Sequence, residues 1–133
     1  MEDRMPRAHS IDLEKVRKFL REKEERRRGE LHLRWEKARG DFEAIVSRIL
    51  ESHKPRRIYQ WGSLLDFSRF SDISDIDIAL EGLAGPQEYF DILGEAMEMT
   101  SFPLDIIEME KLDPTTAEEI RRKGRLVYER RSQ

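Results

Sequence analysis

Apolar residues recur at alternating four- and three-residue spacing through Leu31, Trp35, Ala38, Phe42, Ile45 and Ile49. That rhythm is the seam of an amphipathic helix. Leu13, Val16 and Leu20 share a face further upstream, on a helix predicted to begin at Ile11. Ser10 is placed as its cap, with Asp12 and Glu14 in the first turn. Between the two apolar stretches, Arg21 to Glu30 is almost all charge, with Gly29 near its end. The pattern leaves open a bend at Gly29 or one helix over 11–52. At 1.5 Å per residue a single helix spans about 60 Å, too long for a small domain to cover, so a helical hairpin or a partner must bury part of it.

Pro55 stops the helix. Beyond it the periodicity shortens to that of strands, predicted at 57–61, 76–80, 102–109 and 126–128. A short helix is expected over Ser63–Phe67, with Phe70 folding the following loop back onto the body. A longer helix should start at Pro86, with Tyr89, Phe90, Leu93 and Met97 as its apolar face. The last helix starts at Pro114 and ends at Gly124. The elements predict an α/β fold: a small mixed sheet of three to five strands, helices packed on one side, and a long helical N-terminal extension. The boundary falls between residues 1–55 and 56–133.

Charge divides the chain the same way. Residues 1–57 carry 17 Lys and Arg against 12 Asp and Glu, whereas residues 58–133 carry 8 against 16. Between Ile58 and Glu110 the single basic residue is Arg69. An acidic centre attracts cations and repels bare nucleic acid, which makes nucleic acid an unlikely partner. Arg26-Arg27-Arg28 is read as a solvated helix face, since Glu22, Glu24 and Glu25 offer local pairs. No cysteine is present, consistent with a reducing, cytoplasmic setting. No apolar run approaches the length of a membrane span, and Met1–Ser10 lacks the apolar core of a secretory signal. His9 and His32 have no companions suggesting a zinc site and are expected at the surface.

The candidate chemistry lies in 61–80. Asp75 and Asp77 sit two apart on a strand of period two and project from one face, with Ile76, Ile78 and Leu80 on the other. Paired carboxylates repel unless a hard cation lies between them, and Mg²⁺ takes oxygen ligands of this kind. Gly62-Ser63, at the end of the preceding strand, supplies the complementary half. Glycine lets backbone approach a ligand closely, and a helix start beyond it offers free N–H groups to an anion. Metal ligands beside a phosphate cradle suit phosphoryl or nucleotidyl transfer.

The order strand, Gly62-Ser63, eleven residues, Asp75-Ile76-Asp77 resembles the DNA polymerase β-like nucleotidyltransferase superfamily. Within it, the chain is similar to the minimal nucleotidyltransferases that act as antitoxin-like partners of HEPN-type ribonucleases. The resemblance covers about residues 56–129. One insert residue more than usual separates the two motifs, and Leu64-Leu65-Asp66-Phe67 replaces the arginine-containing run of many relatives. The resemblance implies two Mg²⁺ ions held by Asp75 and Asp77, and ATP as donor, its β- and γ-phosphates on Gly62 and Ser63. It also implies a third acid on a neighbouring strand, for which Asp105 is the candidate and Glu108 the runner-up. AMP would pass to a hydroxyl, as antitoxin members transfer it to a tyrosine of a partner HEPN toxin. A HEPN-type partner, or a homo-oligomer through the N-terminal helices, would complete the acceptor site, since few residues follow Asp113. The alternatives are a stand-alone small-molecule transferase and a catalytically silent protein-binding subunit. Arg48 and His53 match the loose HEPN toxin signature but fall at the end of the helix before the first strand, and are read as coincidental.

Overall fold

The computed structural model describes residues 11–131. One uninterrupted helix, α1, runs from Leu13 to Ser52 with no bend at Gly29. Ser10 lies outside the described residues. The cap is Asp12, whose Oδ1 accepts from the backbone N–H groups of Glu14 (2.9 Å) and Lys15 (3.3 Å). The two halves of α1 have different surroundings. Every residue from 11 to 30 is exposed, whereas Ala38, Phe42, Ile45, Val46 and Ile49 are buried. The predicted seam is therefore a core seam in its second half, and its first members, Leu31 and Trp35, are half-buried against the core. Pro55 follows directly, and the chain turns into the sheet.

Four strands form that sheet: β1 (Arg57–Trp61), β2 (Ile76–Glu81), β3 (Leu104–Glu108) and β4 (Arg125–Glu129). Their spatial order is β3-β2-β1-β4. β1 pairs antiparallel with both β2 and β4, and β2 pairs parallel with β3, so the sheet is mixed. The parallel pair needs a crossover, supplied by helix α2 (Pro86–Met99). Pro86 begins α2 as expected, but its buried face is Ile92 and Ala96, with Tyr89 and Leu93 at the margin. Phe90 and Met97 point outward, contrary to the periodicity reading. Tyr89 and Leu93 belong to both possible stripes, and the denser packing around Ile92 and Ala96 decides between them.

The two faces of the sheet have separate cores. Ile58, Ile76, Ile78, Leu80 and Ile106 pack against α1 and α2 on one face. Tyr59, Ala79 and Met109 meet Ala117 and Ile120 of helix α3 (Pro114–Lys123) on the other. The large helices thus share one side as predicted, and the short α3 adds partial cover to the second. Gly124 ends α3 as expected, with φ −79°. Glycine is needed there for space: a Cβ would lie 2.6 Å from the Ile120 carbonyl oxygen and 2.8 Å from that of Gln60.

Polar ties fix α1 to α2. Buried Asp41 accepts from Lys37 Nζ (2.6 Å) and Thr100 Oγ1 (2.7 Å). The ring of His53 lies between Glu88 (3.1 Å) and Glu95 (3.2 Å). The Arg48–His53 pair is thereby accounted for as helix-to-helix anchoring. His32 is exposed as expected, its ring edge-on to Phe67 at 5.2 Å, and His9 lies outside the described residues. Among the described residues no helix is long and apolar enough to cross a membrane.

Candidate functional site

The site is built where β1 ends and β2 begins. Gly62 follows β1 with φ +85°, a conformation that L side chains rarely adopt. A Cβ at this position would stand 2.1 Å from Asp77 Oδ2. The glycine is required twice, by its backbone angle and by its direct approach to a carboxylate. Register explains the proximity, since Trp61 is the β2 partner of Asp77.

Asp77 is paired in turn with Asp105 of β3, so the two acids are neighbours on one face of adjacent parallel strands. Asp75 precedes β2, outside the strand, and is near enough for its charge to act on Asp77. Asp77 and Asp105 thus share the face opposite the α1–α2 core, Asp77 against Gly62, with Asp75 close by at the start of β2. Glu108, the runner-up, pairs with Leu80 and lies on the far parity from Asp105; its carboxylate is taken by Lys111 at 3.0 Å.

Electrostatics mark Asp77 out. Its side chain is nearly buried, at 8% exposure, and desolvation pushes its pKa from 3.8 to about 7, with Asp105 and Asp75 adding like-charge repulsion. Among the described residues no ion pair neutralises Asp75, Asp77 or Asp105. No three acidic or histidine side chains there are already closed into a metal-ligating cluster either. A cation entering would draw the carboxylates inward and remove the repulsion that raises Asp77. All-oxygen donors of this sort fit a hard divalent ion.

Ser63 does not begin a regular helix. The predicted helix over Ser63–Phe67 is instead two short 3-10 turns, Ser63–Leu65 and Phe67–Arg69. Asp66 breaks it: its Oδ1 accepts from the Ser68 N–H (3.0 Å) and Oγ (2.8 Å), a local bond that competes with the helix. Ser63 Oγ donates to Ser74 Oγ at 2.8 Å, which also accepts from the Ser71 N–H at 2.8 Å. Ser74, buried and immediately before Asp75, therefore ties the Gly62-Ser63 turn to the acidic strand. Sequence reasoning assigned it no role, although it is the Ser of Ser-Asp-Ile-Asp.

Two further residues support the turn. Trp35 of α1 donates from Nε1 to the Leu64 carbonyl at 3.0 Å and packs on Phe67, with Arg39 over its ring at 4.6 Å. Arg69 lines a cleft of about 470 Å³ together with Trp61, Gly62, Leu65, Thr116 and Lys123. Lys123 is paired there with Glu119 of the same cleft at 2.9 Å, which leaves Arg69 as the cation facing the Gly62 side. The Trp61 indole N–H is buried without a partner among the described residues.

No curated protein matches the chain. Four chains of solved structures do, two of them as follows. One is described as a minimal nucleotidyltransferase, with TM-score 0.54 and 20% identity over 68% of this chain and 92% of that one. The other is the toxin-antitoxin MntA-HpeT, in a mutant form, with TM-score 0.50 and 15% identity over 65% of this chain and 71% of that one. At these identities the likeness establishes the fold. The family described as Polymerase beta, Nucleotidyltransferase matches residues 44–133, from the buried half of α1 through the whole sheet, and the chain belongs to that family.

Proposed function

We infer that this chain is a metal-dependent nucleotidyltransferase that moves AMP from ATP to a hydroxyl on a partner protein. The observation that carries the reading is the register that sets Asp105 beside Asp77, with Asp75 close by, against the Gly62 backbone. Asp75 and Asp77 would hold two Mg²⁺ ions, with Asp105 completing the site of one. Bound there, the metals would neutralise the triphosphate and stabilise charge developing at the α-phosphorus. Gly62 gives the β- and γ-phosphates close backbone contact, and Ser63, held in place through Ser74, offers its hydroxyl. Arg69 adds positive charge on that side. The acceptor oxygen bonds to the α-phosphorus, the bond to the β-phosphate oxygen breaks, and pyrophosphate leaves. Asp105 accepts the hydroxyl proton.

The likeness to the toxin-antitoxin structure supports an antitoxin role. The acceptor in this reading is a tyrosine of a HEPN-type helical toxin, as the sequence resemblance implies. In this reading residues 1–55 are the helical extension of a transferase domain over 56–133, working in the cytoplasm. The test is incubation with ATP labelled at the α-phosphate and Mg²⁺, with and without a co-expressed helical partner. Label should appear on the partner's tyrosine and be lost in Asp77→Asn. Transfer to neither partner nor self, with Mg-ATP bound, would leave the silent protein-binding subunit as the better reading.

A further inference from the structure

Two apolar patches of this chain lie open to solvent, and they match one another. The first is the free end of α1, where Leu13, Val16, Phe19 and Leu20 are all exposed, Phe19 at 57%. The second is the outer stripe of α2, where Phe90 (62% exposed) and Met97 flank Gly94 at helical spacing. A Cβ at Gly94 would meet nothing within 4 Å, so the stripe has a dimple between two large side chains. A helix presenting Leu13, Val16 and Leu20 at three- and four-residue steps fits such a groove by ridge packing.

Their charges are opposite. α2 contains no basic residue, and with Glu88 and Glu95 turned to His53 of α1, Asp91 and Glu98 are the acids left to its outer side. Lys15, Arg17, Lys18, Arg21 and Lys23 surround the apolar residues of the α1 end, outnumbering its acids. Apolar stripe therefore meets apolar stripe while basic flanks meet acidic ones.

The two patches cannot meet within one molecule. α1 lies along α2 only through its second half: Asp41 bonds Thr100 at one end of α2, and His53 bonds Glu88 near the other. From Asp41 the helix continues unbroken to Phe19, roughly 33 Å at 1.5 Å per residue, beyond the end of α2. We propose that the α1 end of one copy docks on the outer stripe of α2 in a second copy, and reciprocally, giving a closed twofold dimer. The proposal is independent of the transferase reading.

The test uses the full chain and its mass in solution by analytical ultracentrifugation. Wild type is expected to be a dimer that weakens as salt is raised, since the flanking charges are exposed. Phe19→Asp and Phe90→Asp should each weaken it about tenfold or more. Both sites are exposed, so circular dichroism should show folded protein. The chain has no cysteine, which permits a directed cross-link. Leu20→Cys mixed with Gly94→Cys should oxidise to a covalent heterodimer faster than either alone. A monomeric wild type overturns the proposal. So does a dimer indifferent to Phe90→Asp, or Leu20→Cys cross-linking as fast to itself, which would signify arm-to-arm pairing. A chain that is monomeric alone and uses these patches only for a different protein overturns it equally.

Discussion

Replacing Asp77 by Asn isolates the charge problem at the centre of the site. The two side chains are nearly the same shape, so packing against Gly62 is kept while the charge is removed. In the folded chain burial, Asp105 and Asp75 raise the Asp77 pKa from 3.8 to about 7. Between these values the unfolded chain has released a proton that the native state retains. Native stability of the metal-free protein therefore falls as pH rises through that window and stays low above it. About three units at 1.36 kcal/mol each set an upper limit near 4 kcal/mol, and solvent screening beside the open cluster brings the expectation to about 2–4 kcal/mol. Asp77→Asn has no such proton to lose. Urea unfolding in a chelator at about pH 4, 6 and 8 should show the variant level with wild type at the lowest pH and more stable by that amount at the highest. Parallel stability curves, or a variant less stable than wild type at pH 8, would refute the electrostatic account.

Other expectations follow from the same geometry. Asp105→Asn should leave Mg-ATP affinity within about threefold and lower the single-turnover transfer rate by about 10²-fold or more, because proton acceptance acts only in the transition state. Gly62→Ala places a methyl group where Asp77 Oδ2 stands and forces a disfavoured backbone angle, so nucleotide-induced thermal stabilisation should vanish even where circular dichroism shows a folded chain. Trp35→Ala removes a half-buried indole and its bond to the Leu64 carbonyl, and should cost about 2–4 kcal/mol in denaturant unfolding. A loss under about 0.5 kcal/mol would mean that α1 does not support the Gly62-Ser63 turn.

What was legible in the sequence were features set by local periodicity and by side-chain chemistry. β1 is recovered at Arg57–Trp61, and β2 to within one residue, because each is a short apolar run bounded by turn residues. The face of Asp77 follows from the strand period, whereas Asp75 proves to lie just before the strand. That Asp105 lies beside Asp77 depends on which strands pair and in what register, which periodicity does not encode; only the family resemblance pointed to it. Ser74 was hidden for a different reason. A serine in a loop is ordinary until the fold brings Ser63 to 2.8 Å from it. The outward turn of Phe90 and Met97 also escaped the pattern, since a helix covered on one side by a sheet is assigned its face by packing, not by residue size.

The central claim, that Asp75 and Asp77 hold metal for a nucleotide beside Gly62, is tested most directly by calorimetric titration of ATP. Wild type and an Asp75→Asn, Asp77→Asn double variant would each be titrated with Mg²⁺ and with chelator. The account predicts saturable binding to wild type with Mg²⁺ present, little without it, and at least about tenfold weaker binding to a folded double variant. Equal affinity in both proteins, or binding to wild type that is the same in chelator, would contradict it.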